Sequence, residues 1–158
     1  MAAVAASWAL TTTVLAACGG PTPTPPDDGY TPAMRAAVAA ANRIAVDLTT
    51  FDYRALDAHY ARMKAEATAA FATNLDATRA DAVAFDQRVK VISQGAVIAS
   101  AAKPVASDGS VTVLLFVDQR LHSLSAKVGQ LEQVRVQMVM KNLEGRWLVD
   151  RAIVTGSS

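Results

Sequence analysis

From Thr31 onward the apolar positions recur at helical spacing. Met34, Val38, Ala41, Ala45 and Leu48 follow one another at steps of three and four, Ile44 and Phe51 flank the stripe, and Arg35, Asn42, Arg43 and Asp47 lie off it. One side of a helix therefore packs on a core. Thr31 supplies an N-cap hydroxyl, and Pro32 fits the first helical position, where its missing N–H is not needed. Thr49–Tyr53 mixes β-branched, aromatic and short acidic residues and reads as a turn or cap, with Asp52 capping a second helical stretch from Arg54 to Met63. A third stretch, Glu66 to Lys90, carries Ala67, Ala70, Phe71, Leu75, Val83 and Phe85 among spread charges, with Asn74 and Asp76 as its expected break. No Gly or Pro lies between Pro32 and Gly95, which makes this the helical half of the chain.

At Val91 the period changes to two. Val91 to Ala102 is rich in Val and Ile, and Pro104 with Ser107-Asp108-Gly109-Ser110 marks a turn after it. Val111, Val113, Leu115 and Val117 then alternate with Thr112, Leu114, Phe116 and Asp118, so one face is wholly apolar and the other partly so. That pattern predicts a central strand covered on both faces. His122 to Gly129 reads as a polar connection. Val134, Val136, Met138 and Met140 alternate with Arg135, Gln137, Val139 and Lys141 in a half-buried strand, Glu144-Gly145 turns it, and Trp147, Val149 and Ile153 belong to a last strand ending near Val154.

Helices followed by about four antiparallel strands is an α+β order, with helices segregated to one side of a curved sheet. A bent sheet wrapped on a long helix makes a cone, the arrangement of the nuclear-transport-factor-2-like or cystatin-like superfold, and the open end of a cone is a pocket. The superfold hosts isomerases, hydratases, binding modules and scaffolds, so it decides no function.

Composition adjusts the picture at the front. Of 158 residues, 52% are hydrophobic, but 33 are Ala, and 18% are charged. Ala buries little area, so the core rests on fewer large side chains than the total suggests. Fifteen Lys and Arg against 14 Asp and Glu, interleaved along the chain, leave no basic stripe for nucleic acid. No charge occurs from Ala2 to Ala17, and the run meets the single cysteine, Cys18, followed by Gly19-Gly20 and the Pro/Thr-rich residues 21–26. About 20 apolar residues are needed to cross a bilayer, so this run has the length of a signal-peptide core instead. Leu15-Ala16-Ala17-Cys18 resembles a bacterial lipobox, which implies cleavage before Cys18, lipid attachment to it, and a domain on the extracytoplasmic side of the cell membrane. A short uncleaved membrane anchor is the alternative. The expected organisation is a leader at 1–17, a tether at 18–30, the domain at 31–155 and a frayed tail at 156–158.

Three stretches carry a resemblance beyond fold: Leu48 to Asp57, Val113 to Gln119, and Glu144 to Val149. Together they resemble the Mce-associated membrane proteins of actinobacteria. The resemblance implies a non-enzymatic accessory of a lipid or sterol importer, with Mce transporter subunits as possible partners. A homodimer formed through the sheet is a further possibility.

For an enzyme, this superfold places an acid or base and a hydrogen-bond donor in the cone, as ketosteroid isomerases do. The candidates are Asp52, Tyr53, His59, Tyr60, Asp118, His122 and Asp150, and each has a plainer reading as a cap, solvated histidine, rim salt bridge or turn residue. Met138 and Trp147 could line a pocket for a hydrophobic ligand and otherwise belong to the core. Two histidines 63 residues apart make no metal motif, and no phosphate loop, dinucleotide fingerprint or nucleophile elbow occurs. The expectation is a module without cofactor or catalysis, with a small isomerase or dehydratase, or a lipid carrier, as the alternative. Intact-mass analysis of the membrane-extracted protein tests the leader: residues 18–158 plus a diacylglycerol and an acyl group is the expected mass, and the unmodified full-length mass contradicts it.

Overall fold

The Thr31 hydroxyl accepts the Met34 amide at 3.2 Å with Pro32 in the first turn, so α1 (Pro32–Thr49) begins where its cap predicts. In this computed structural model, which describes residues 29–123 and 129–156, α1 is followed by β1 (Phe51–Asp52), α2 (Leu56–Ala65), α3 (Ala69–Val89), β2 (Val91–Ala102), β3 (Val111–Ser123), β4 (Gln130–Leu143) and β5 (Arg146–Gly156). The strands form one antiparallel sheet in the order β1-β2-β3-β4-β5. The α+β arrangement with helices on one side of a curved sheet is as the alternation predicts, with five strands where about four were expected. The expected leader, most of the tether and Cys18 lie outside the described residues. Among the described residues no helix is long and apolar enough to cross a membrane.

Three local expectations change. Thr49–Tyr53 is more than a turn: Phe51 and Asp52 pair with Ser93 and Ile92 as β1. Asp52 does not cap α2, whose N-cap is Ala55 with no side-chain hydrogen bond. α3 runs unbroken through Asn74 and Asp76, because both lie on its exposed face while Leu75 is buried between them. The Asp76 carboxylate also accepts the Lys64 ammonium at 2.7 Å, tying α3 to α2. β3 continues to Ser123 and takes in His122, since Val91–Gln94 of β2 needs partners across the sheet and finds them in Arg120–Ser123.

The core lies between α1 and the inner face of β3, β4 and β5. Val111, Val113, Leu115 and Val117 meet Val134, Val136, Met138, Met140 and Val149, all nearly or wholly excluded from solvent. Each large side chain of this kind contributes about 1.5–3 kcal/mol by leaving water. α1 faces them with Met34, Ala37, Ala41, Ile44 and Ala45, while Val38 and Leu48 pack at the margin. Ala37, Ala41 and Ala45 are fully buried and repeat every four residues, so the helix lies low on the sheet. Irregularities between Val97 and Ala99 in β2, and between Val139 and Met140 facing β5, bend the strands around it.

Where α1 ends, the fit is tightest. Thr49 Oγ1 donates to the Ala45 carbonyl at 2.7 Å, Ser93 Oγ donates to the Thr49 carbonyl at 2.6 Å, and the Gly95 amide donates to Thr50 Oγ1 at 3.1 Å. Gln119 Nε2 completes the set by donating to Ser93 Oγ at 2.7 Å. A Cβ on Gly95 would stand 1.8 Å from Thr49 Oγ1 and 2.6 Å from its Cβ.

The next helix, α2, docks through Leu56, His59 and Met63. The His59 ring lies 5.6 Å from Phe51 of β1 and 5.6 Å from Tyr60, and its Nδ1 is buried without a hydrogen-bond partner. Burial holds the His59 pKa below its ordinary value, with Arg62 acting in the same direction and Asp47 opposing it.

Two predictions follow from these contacts. Gly95→Ala forces α1 and β2 apart and costs about 1–3 kcal/mol, read as a lower urea midpoint; an unchanged midpoint contradicts the close approach. For His59 the unfolded chain takes up a proton near pH 6.5, and the folded state only at lower pH. Stability is therefore complete above pH 6.5 and is lost as pH falls from there through the folded value. In urea titrations between pH 7 and 5.5 the midpoint falls for the unaltered protein and is flatter for His59→Leu; parallel slopes contradict the assignment.

Candidate functional site

The expected site residues distribute over four separate places. Asp52, Tyr53, His59 and Tyr60 sit where β1 meets α2. The Arg54 guanidinium closes on the Asp52 carboxylate, which also accepts the Arg54 amide at 2.9 Å, and these bonds lower the Asp52 pKa to about 2. Tyr53 donates its backbone amide to the Val91 carbonyl at 3.1 Å and lies under the Arg54 guanidinium, 5.8 Å from its ring centre. Tyr60 lies in the same way under Arg79, whose guanidinium also meets Asp57. Burial raises the Tyr60 pKa, and Asp86 adds to that shift.

Met138 is fully buried in the sheet core, and Trp147 packs against that core at the start of β5. Asp150 lies at the edge of the sheet, where its carboxylate takes the Lys141 ammonium at 3.0 Å and the Thr68 hydroxyl at 3.0 Å; the Lys141 bond is the chief cause of its lowered pKa. Asp118 and His122 are on the opposite, outer face of β3, where Gln133 Nε2 donates to Asp118 at 3.3 Å. Cys18 lies outside the described residues. The structure thus brings Asp52, Tyr53 and His59 into one neighbourhood and keeps Asp118, Met138 and Trp147 away from it.

Packing between α1 and the sheet leaves a small void that adjoins, through Leu48, Met63, Phe71 and Ala152, a larger groove. Between Ile44, Met63, Phe71, Met138 and Val149 the remaining void is about 10 Å³, about the least that holds one water. Met138 lies in the packed core and Trp147 against it, and the isomerase, dehydratase and carrier alternatives gain no support from their placement. At the margin of the cone a shallow groove of about 340 Å³ runs between α3 and β5, bordered by Leu48, Phe71, Leu75, Arg151 and Val154. Among the described residues no three His, Cys, Asp or Glu side chains come together as metal ligands.

The outer face of the sheet is the surface with unspent chemistry. Leu114 and Phe116 project from β3 away from the core and are 38% and 42% exposed, so β3 is covered on one face and not on two as its double alternation predicts. Ile98 on β2 and Leu131 on β4 are 62% and 61% exposed beside them. Two adjoining hollows flank Ile98. One, of about 280 Å³, lies between Phe116, Gln133 and Arg135; the other, of about 330 Å³, lies between Gln94, Arg120 and Leu131. Arg135 stands over the Phe116 ring at 6.0 Å. Ile98, Leu131 and Arg135 do not emerge as site residues from the sequence. The available signal is the apolar pair Leu114 and Phe116 on the second face of β3, which reads as burial when the layers are unknown.

No family model and no curated protein matches the chain. Two solved structures share its fold. The periplasmic domain of DotI is 15% identical, with a TM-score of 0.65 over 81% of this chain and 99% of that one. An IcmL-like type IV secretion system protein from Legionella pneumophila is 14% identical, with a TM-score of 0.59 over 82% of this chain and 95% of that one. These likenesses establish the fold, and they correct the Mce-associated resemblance: the neighbours are the DotI periplasmic domain and an IcmL-like type IV secretion system protein, not Mce-associated proteins. The three stretches behind that resemblance sit where the fold itself restricts residue type. Leu48–Asp57 spans the end of α1, β1 and the entry to α2, and Val113–Gln119 is the alternating centre of β3. Glu144–Val149 holds the left-handed pair Glu144 (φ 52°) and Gly145 (φ 83°) and the start of β5. The lipid-import role and the Mce subunits as partners fall with the resemblance.

Proposed function

We propose that this domain is a non-catalytic assembly module on the extracytoplasmic side of a cell envelope, carried there by its N-terminal segment and working within a membrane-associated complex of secretion-system type. The observation that carries this reading is the fold match over 99% of the DotI periplasmic domain. Helices and sheet correspond over nearly that whole domain, which leaves little of it outside the shared architecture.

One feature supports the non-catalytic part: the candidate carboxylates are engaged by other groups, Asp52 by Arg54 and Asp150 by Lys141 and Thr68, and Asp118 lies on the face of the sheet away from His59. The cone shape itself, of the nuclear-transport-factor-2-like kind, serves here as a rigid body with one open face. The uncharged run ending at Cys18 supplies the means of export and retention.

The full chain with a C-terminal epitope, expressed in its own cells, tests this reading. Protease added to intact spheroplasts is expected to digest the tagged domain while a cytosolic marker survives. A mild-detergent extract is expected to place the tagged protein far above its 16.5 kDa mass on a native gel. A protected domain, or a soluble monomer, overturns it.

A further inference from the structure

The outer face of the sheet, described above, is uneven in composition. In the middle of β4 the outward residues Gln133, Arg135 and Gln137 are polar, as expected of a solvated face, with apolar Leu131 and Val139 at either end of them. Opposite them on β3, Asp118, Phe116 and Leu114 occupy the paired positions, and β2 adds Ala96, Ala99 and Ala101. The small β2 side chains keep the surface low, and the irregularity at Ile98 raises one large apolar side chain between two hollows. Both hollows are bounded by Ile98 and Asp118, so they form one continuous depression.

Charge on this face is unbalanced in the same place. Arg120 and Arg135 point outward beside the hollows and have no ion-pair partner among the described residues. Asp118 is the one carboxylate bordering the hollows. The contact with Phe116 holds the Arg135 guanidinium over the depression, where its planar fork can take a carboxylate with two hydrogen bonds.

We propose that this face docks a protein partner that presents apolar side chains next to a carboxylate, the apolar groups entering the hollows beside Ile98 and the carboxylate meeting Arg135. This rests on the assembly reading above and names the surface that serves it. A second copy of the chain fits less well: a two-fold contact here would bring four arginines against two aspartates. A lipid surface fits less well too, because the apolar groups around Phe116 border recesses that call for inserted side chains.

Photocrosslinking with the full chain in the membranes of its own cells tests the proposal. Benzoylphenylalanine is placed at Ile98 and, as a control, at Phe85, a 54% exposed position on α3. The expected result is a discrete protein adduct from Ile98 and none from Phe85, with the crosslinked peptide carrying apolar residues beside Asp or Glu. Arg135→Glu is expected to lower the yield about fivefold or more, and Arg135→Lys less; circular dichroism checks that both variants fold. An adduct of twice the chain mass, a phospholipid adduct, equal labelling from Phe85, or a yield indifferent to Arg135→Glu overturns the proposal. No adduct from Ile98, with the native-gel assembly intact, overturns this surface while leaving the assembly reading in place.

Discussion

The close approach of α1 to the sheet is the constraint on which the rest of the molecule depends. Three buried alanines at four-residue spacing, and a glycine on β2 where any Cβ would strike Thr49, bring helix and strand backbones together. Packing density in protein interiors leaves few voids larger than a water. With the helix this low, Leu115, Met138 and Met140 fill the remaining depth, and the sheet curls around one axis without leaving a chamber. The residues that close the seam at the end of α1, Ser93 and Gln119, come from neighbouring strands, so helix position and strand register are set together.

The ion pairs follow the same division. Arg43 with Glu66, Lys64 with Asp76, and Arg79 with Asp57 all join helices to one another or to the turn between α2 and α3. Their side chains are substantially exposed, and pairs of this kind are each worth about 0–1 kcal/mol. Their effect is on orientation more than on stability: they fix how α2 and α3 lie. These pairs engage the facing charges of α2 and α3, and on the outer face of the sheet Arg120 and Arg135 stand without ion partners among the described residues.

Periodicity made much of this legible in the sequence. The cap at Thr31, the stripe of α1, and the alternation of β3 and β4 each follow from a repeating pattern of apolar residues, and their boundaries agree with the structure within a few residues. β1 was not legible because two residues carry no period; Phe51 and Asp52 become a strand only when Ile92 and Ser93 lie beside them. The end of β3 was hidden for a related reason. From Asp118 to His122 the outward positions are charged or imidazole and the inward Gln119 is polar, so the alternation stops although the backbone pairing with β2 continues. Periodicity also says nothing of convergence: Asp52, His59 and Asp118 are similar candidates in the chain, and only the strand register reveals that Asp118 faces outward while His59 packs against Phe51 on the inner side.

The hardest feature to read was also the most consequential. An apolar residue on the second face of a strand can mean a second buried layer or an exposed surface, and the local sequence is the same in both cases. The number of helices decides which. After α1 has covered the inner face, α2 and α3 pack on each other, on β1 and along β5, and among the described residues no element remains to cover Leu114 and Phe116. An apolar patch left open in this way costs solubility and invites association, and substitution of either side chain by Thr or Gln would remove that cost without touching the core. On this face the patch adjoins the polar Gln133, Arg135 and Gln137 of β4, with Leu131 at one end, so apolar and polar groups meet along one line. A face of that kind is where selection for binding would act.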